Sequence, residues 1–143
     1  MEKTLILLKP DCIERGLAGE ALRRFENAAL RIVEARLARP SLEQLRRHYA
    51  DLESRDERAF LRTTASLAGK AFLAVVLEGA NAIRKGRLLT GPTEPLTAPC
   101  GTIRGDFGND SLRDADAENR ATRNLVHAAD SEESVAREMS IWF

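Results

Sequence analysis

Two uninterrupted apolar runs decide most of what this chain can become. Thr4-Leu5-Ile6-Leu7-Leu8 is halted by Lys9-Pro10-Asp11, and Ala71-Phe72-Leu73-Ala74-Val75-Val76-Leu77 is halted by Glu78-Gly79. Short apolar runs that end at a turn signal read as buried strands. Pro10 biases Lys9 away from helix and so leaves it at the end of the first strand. Even the longer run is too short to cross a bilayer.

The remaining pattern fills in around these strands. Leu22, Phe25, Ala29 and Leu30 fall at helical spacing after Gly16 and Gly19, and Ile32, Val33, Ala35 and Leu37 form a strand ended by Pro40. Ser41 is a candidate N-cap for a helix with Leu42, Leu45 and Tyr49. A helix is expected over Phe60–Leu67, and another from an Asn81 cap to Leu89. Gly91, Pro92, Pro95 and Pro99 mark a loop. Leu125-Val126-His127 reads as a short strand, and Asp130 with Glu133 has capping-box spacing ahead of a last helix with Val135 and Met139. Residues 108–123 carry a single large apolar side chain, Leu112, and are expected at the surface as a loop or short helix. Four strands with two main crossing helices suit a ferredoxin-like α+β sandwich, βαββαβ, with helices packed on a four-stranded antiparallel sheet. At 143 residues the chain fits one domain.

Charge narrows the function. Lys and Arg together number 22, Asp and Glu 22. Splitting after Arg62 gives halves of +2 and −2, so neither is a charged tail. That argues against holding nucleic acid or membrane through bulk positive charge. Two isolated cysteines, Cys12 and Cys100, and no signal peptide point to a reducing, cytoplasmic setting. No P-loop, dinucleotide fingerprint or zinc spacing is present. Polar residues at strand ends and loops remain: Lys9, Tyr49, Arg87, Thr93, Arg104, Asn124 and His127. Three cations, a hydroxyl and an amide are an inventory for a polyphosphate. A neutral imidazole supplies a nucleophile.

Local motifs sharpen this. KPD at 9–11, ERG at 14–16, HYADL at 48–52, VVLEG at 75–79, GTIRGDF at 101–107, N-x-x-H-A at 124–128 and the ending IWF resemble, in order, the nucleoside diphosphate kinase family. The resemblance implies a ping-pong phosphotransferase that maintains nucleoside triphosphate pools through a phosphohistidine. It makes His127 the nucleophile, through Nδ1, with Lys9 and Arg104 on the transferring phosphates. Arg87 and Thr93 would contact the phosphates of the bound nucleotide, and Asn124 its sugar hydroxyls. Tyr49 would orient Lys9, and Glu138 would steer the imidazole. Mg²⁺ would arrive with ATP or another nucleotide, bridging phosphates rather than resting in a protein cage. The family's oligomers imply a homo-oligomer, with a hexamer favoured.

Three departures stand out. Only Phe60 stands where the family has a Phe pair to stack on the base, in a segment two residues longer, and a place in the core is equally open to it. The stretch 108–123 is inserted, and is expected to bulge at the surface or lie over the cleft mouth. The family's H-G-S-D-S is here H-A-A-D-S, so Ala129 lacks a hydroxyl near the steering carboxylate. Two other classes compete: a nucleotide-binding regulator without turnover, and an RNA-binding module of the same topology, which needs surface aromatics that are scarce here. Ala129 is expected to slow transfer without abolishing it. Ala129→Ser should therefore raise the single-turnover rate, and an unchanged rate would count against this.

Overall fold

A computed structural model describes residues 1–143. Its elements in order are β1 (Glu2–Leu8), α1 (Pro10–Glu14), α2 (Ala18–Asn27), β2 (Arg31–Ala38), α3 (Leu42–His48), α4 (Ala50–Arg55), α5 (Glu57–Leu67), β3 (Phe72–Gly79), α6 (Ala82–Thr90), a 3-10 turn (Pro95–Thr97), α7 (Ile103–Phe107), α8 (Leu112–Ala117), β4 (Val126–Ala128) and α9 (Glu132–Trp142). The two apolar runs become the neighbouring strands β1 and β3, paired antiparallel with Leu5 opposite Val76 and Leu7 opposite Ala74.

Side chains alternate across a strand, and here both faces are buried. Leu5, Leu7, Phe72, Ala74 and Val76 pack on one side with Leu45, Leu67, Ile141 and Trp142 of α3, α5 and α9. Ile6, Leu8, Val75 and Leu77 pack on the other with Phe25 of α2 and Ala82 of α6. Two covered faces explain why neither strand shows alternating polarity. They also leave no open face on β1 and β3 for stacking RNA bases. Fully buried Phe25 and Phe72 each contribute about 1.5–3 kcal/mol by leaving water.

The strand order is β2-β3-β1-β4, with every adjacent pair antiparallel. This is the ferredoxin-like arrangement expected from the pattern. It puts the end of β1 beside β4, where Leu7 pairs with His127. β2 is an edge strand, largely exposed, with an irregularity between Ile32 and Glu34.

Helix ends follow the sequence in part. Ser41 and Gln44 form a full capping box on α3. Asn81 does not cap α6 with its side chain; it takes a left-handed backbone, φ 55°. The Glu2 carboxylate instead accepts from the Ile83 N–H at 3.1 Å. Ser131, not Asp130, caps α9, and the Asp130 carboxylate accepts from the Ser134 hydroxyl at 2.6 Å.

The inserted stretch is an anchored element. Its centre is α8, capped by Ser111 and seated on a fully buried Ala115. Asp110 and Arg120 close it with two bonds of 2.7 and 2.9 Å. The Leu112 N–H donates to Glu94 at 3.2 Å, and the Ala121 N–H to the Ser66 hydroxyl at 2.8 Å. Arg62 and Arg58 of α5 both reach Asp116 of α8, at 3.2 and 3.3 Å.

Candidate active site

The site grows from the junction of β1 and β4. Lys9, at the end of β1, is 5% exposed. Its Nζ donates to the Asn124 side-chain oxygen at 2.7 Å and to the Thr122 carbonyl at 3.0 Å. Its own N–H donates to the Leu125 carbonyl at 2.8 Å, while the Asp11 carboxylate accepts from the Leu125 N–H at 3.1 Å. Leu125 is thereby clamped on both backbone groups in a left-handed conformation, φ 70°, although fully buried. Such a conformation in a branched apolar residue costs of order 1–3 kcal/mol and persists only where its surroundings impose it. Asp11 thus serves structure.

Arg104, at the start of α7, is also 5% exposed. It spends three N–H groups on main-chain carbonyls: Asn124 at 3.1 Å, Gly91 at 2.9 Å and Val126 at 2.6 Å. The tight turn that delivers it requires Gly105, where a Cβ would sit 1.9 Å from the Pro99 carbonyl oxygen. Arg87 of α6 donates to the Ala128 carbonyl at 3.1 Å. Burial pulls Lys9 down to about 8 and Arg104 to about 10, helped for each by a neighbouring arginine. Both remain cations at neutral pH.

Strand alternation aims His127 at the face covered by α3 and α9. Its Nε2 lies 2.9 Å from an oxygen of Glu138, which is 3% exposed. Burial, then Arg104, Lys9 and Arg87, push the imidazole down to about 3, so the ring is neutral at pH 7. Burial pushes Glu138 up to about 6, still leaving it a carboxylate at pH 7. A carboxylate only accepts, which fixes the proton on Nε2 and leaves Nδ1 with its lone pair. His48 packs edge-on against His127, ring centres 4.6 Å apart. The Trp142 indole N–H donates to His48 Nδ1 at 3.1 Å. The sequence reading passed over His48 and Trp142. The available signal was the spacing of His48 three residues after Leu45, which puts an imidazole on the apolar face of α3.

A cleft of about 910 Å³ opens over this floor. Lys9, Tyr49, Arg87, Thr93, Arg104, Asn124, His127 and Glu138 all line it. Phe60 does not: it is 2% exposed and turned into the protein on α5, so its ring is not available to stack on a base in the cleft. Tyr49 does not hydrogen-bond Lys9; its ring packs edge-on against His48 at 4.7 Å. The carbonyl of Thr93 accepts from the Asn124 side-chain amide at 3.1 Å. Eight lysines and arginines face five carboxylates across the lining, so a chain of zero net charge holds a cationic cleft.

Cations can hold a polyanion while a neutral, oriented imidazole among them attacks its phosphorus. The family model described as Nucleoside diphosphate kinase matches residues 2–143. The chain belongs to the nucleoside diphosphate kinase family. It is therefore a nucleotide-binding phosphotransferase. A nucleoside diphosphate kinase from Gloeobacter violaceus is 39% identical over 143 residues, covering all of this chain and 88% of that protein. A structure from Borrelia burgdorferi, described as a transition-state mimic with bound vanadate and ADP, superposes with TM-score 0.94 at 34% identity, covering 99% of this chain and 86% of that one. The Halobacterium salinarum enzyme in complex with CDP gives TM-score 0.86 at 35% identity, covering 99% and 87%.

Arg104 generates a stability prediction. Arg104→Lys keeps the charge but presents one nitrogen to three carbonyls. Denaturant unfolding should show a loss of about 1–3 kcal/mol, the usual cost of leaving buried acceptors unpaired. Arg87→Lys, with one carbonyl at stake, should lose less than about 1 kcal/mol.

Proposed function

We propose that His127 is the group that carries the phosphoryl between nucleotides in this kinase. The observation behind this is the 2.9 Å contact of Nε2 with Glu138, which leaves Nδ1 as the nucleophile among three cations. Nδ1 attacks the γ-phosphorus of a nucleoside triphosphate. The bond to the β-bridging oxygen breaks and the diphosphate leaves. The positive charge that develops on the ring is stabilised by Glu138 through the Nε2 proton. A terminal oxygen of a second nucleoside diphosphate then attacks phosphorus, and the P–N bond breaks. Transfer of this kind is mainly positioning and charge stabilisation.

In this reading Lys9 and Arg104 hold the transferring phosphate, Arg87 and Thr93 the others, and Asn124 the ribose hydroxyls. The carbonyl bonds of Arg104 keep its guanidinium in place before ligand arrives. His48 and Tyr49 act as positioning residues that fix the imidazole plane. Kinases of this family generally need a divalent metal, and we assign Mg²⁺ to the substrate, where it neutralises phosphate charge. Donor groups of His48, His127 and Glu138 do lie within 4.8 Å of one another. Two imidazoles and one committed carboxylate suit Mg²⁺ poorly, since it prefers oxygen ligands.

No helix is long and apolar enough to cross a membrane, which fits a cytoplasmic enzyme. We read residues 1–143 as one domain, because both cores are built on one sheet. A homo-oligomer, with a hexamer favoured, would cover the exposed β2 edge with Val33 and Leu37, and Leu96 of the proline-rich loop at 77% exposure.

Incubation with γ-labelled ATP and Mg²⁺ should give acid-labile, base-stable label on wild type and none on His127→Ala. An unlabelled wild type would leave a binding protein without turnover. The pH profile of kcat/KM should have two limbs. Below about 6 Glu138 takes a proton, ceases to fix the Nε2 proton, and activity falls. Above about 8 Lys9 loses its charge and KM for nucleotide rises. An acid limb that survives unchanged in Glu138→Gln would remove Glu138 from this scheme.

A further inference from the structure

The end of the cleft away from His127 is unusual for a nucleotide site. The rings in the lining are His48, Tyr49 and His127, and all three belong to the phosphate end. A base must therefore meet other side chains. The inserted helix α8 presents Leu112 and Asp116 to the cleft. They stand four residues apart, so they share one helical face, one above the other. Leu112 is 38% exposed although it is a large apolar side chain.

Asp116 is paired with two arginines of α5. Its Oδ1 takes both the Arg58 Nε, at 3.3 Å, and an Arg62 terminal nitrogen, at 3.2 Å. Arg62 is itself well buried, its side chain 9% exposed, and its Nε has no partner within the protein. Asp116 remains 46% exposed, with Oδ2 unclaimed. The carboxylate is thus paired through Oδ1, and Oδ2 keeps acceptor capacity in the cleft lining.

We infer that α8 is the base-recognition element of this enzyme and gives it a preference for guanine nucleotides, with Leu112 against the base face and Asp116 accepting from the base edge. This rests on the phosphotransfer reading, which puts the phosphates at Lys9, Arg87 and Arg104 and so sends the base outward. A carboxylate only accepts. Guanine offers it two adjacent donors, N1–H and the 2-amino group. Adenine and cytosine pair their amino donor with an adjacent ring acceptor that repels a carboxylate. Uracil has one donor flanked by two carbonyls. A site built around such a contact rejects bases that lack the matching donors.

The test is a base profile of the intact enzyme with GDP, IDP, ADP, CDP and UDP as acceptors. GDP should exceed ADP in kcat/KM by roughly tenfold or more, with IDP, which lacks the 2-amino donor, between them. Asp116→Asn should reduce the GDP-to-ADP ratio to about threefold or less. Leu112→Ala should raise KM for all five acceptors and leave their order unchanged. The IDP comparison needs no variant, so it stands even if Asp116→Asn folds poorly. A wild-type profile that is flat, or led by ADP, overturns the proposal, as does a preference that Asp116→Asn leaves intact. If wild type takes no label from ATP, the phosphotransfer reading fails on its own. Calorimetric affinities for GDP and ADP then decide base recognition separately.

Discussion

Lys9 and Asn124 lie 115 positions apart in the sequence and hold each other at 2.7 Å in the cleft floor. Most of the site's geometry follows from that grip. With the Asp11 carboxylate and the Lys9 amide on either side of Leu125, it forces the chain into a left-handed residue just before β4. The next residues enter the sheet with His127 turned toward α3 and α9. Arg104 then reaches the carbonyls on both sides of Leu125, those of Asn124 and Val126. A reactive side chain on a strand is placed more firmly than one on a loop. The short β4 acquires that firmness from the end of β1.

The same arrangement explains how a histidine stays neutral and oriented without a dedicated activating base. Three cations nearby disfavour a fourth positive charge, and burial acts in the same direction. Asp130 opposes them, and the contribution of Glu138 is directional. It commits Nε2 to donation. His48 adds a second constraint, since an imidazole packed edge-on limits rotation of its neighbour, and Trp142 fixes His48 in turn. The proposed nucleophile is surrounded by groups that determine how it lies as well as how it is charged.

Much of this was legible in the chain. β1 and β3 were visible because each is buried on both faces and so reads as an unbroken apolar run. Lys9 was placed at a strand end by Pro10. Arg104, Asn124 and His127 sit in motifs whose order is maintained. Other features depend on long-range contacts that spacing does not encode. Asn81 has the residue type of a cap, but its left-handed backbone passes the capping role to Glu2, 81 residues from the N–H it serves. Phe60 looked available to a base because it was the sole ring nearby, yet helical phase buries it on α5. Residues 108–123 read as a surface bulge or a cover over the cleft mouth because they are polar, with nothing to show how they are fastened. Their anchors, at Glu94, Ser66, Arg58 and Arg62, lie elsewhere in the sequence and are charged or hydroxylated, so hydrophobic periodicity registers none of them.

The three carbonyls that hold Arg104 are dipoles, and dipoles do not cancel a charge. With Lys9 and Arg87 close by, the ligand-free protein stores mutual repulsion in its own interior, kept in place by the surrounding fold. A polyphosphate bound as proposed would discharge it. On the roles proposed for Lys9, Arg87 and Arg104, substrate would act as an internal counterion to that repulsion. The resistance of this enzyme to unfolding becomes linked to how much nucleotide its surroundings contain. Above saturation, further nucleotide would still add stability while the rate of the chemistry stays level.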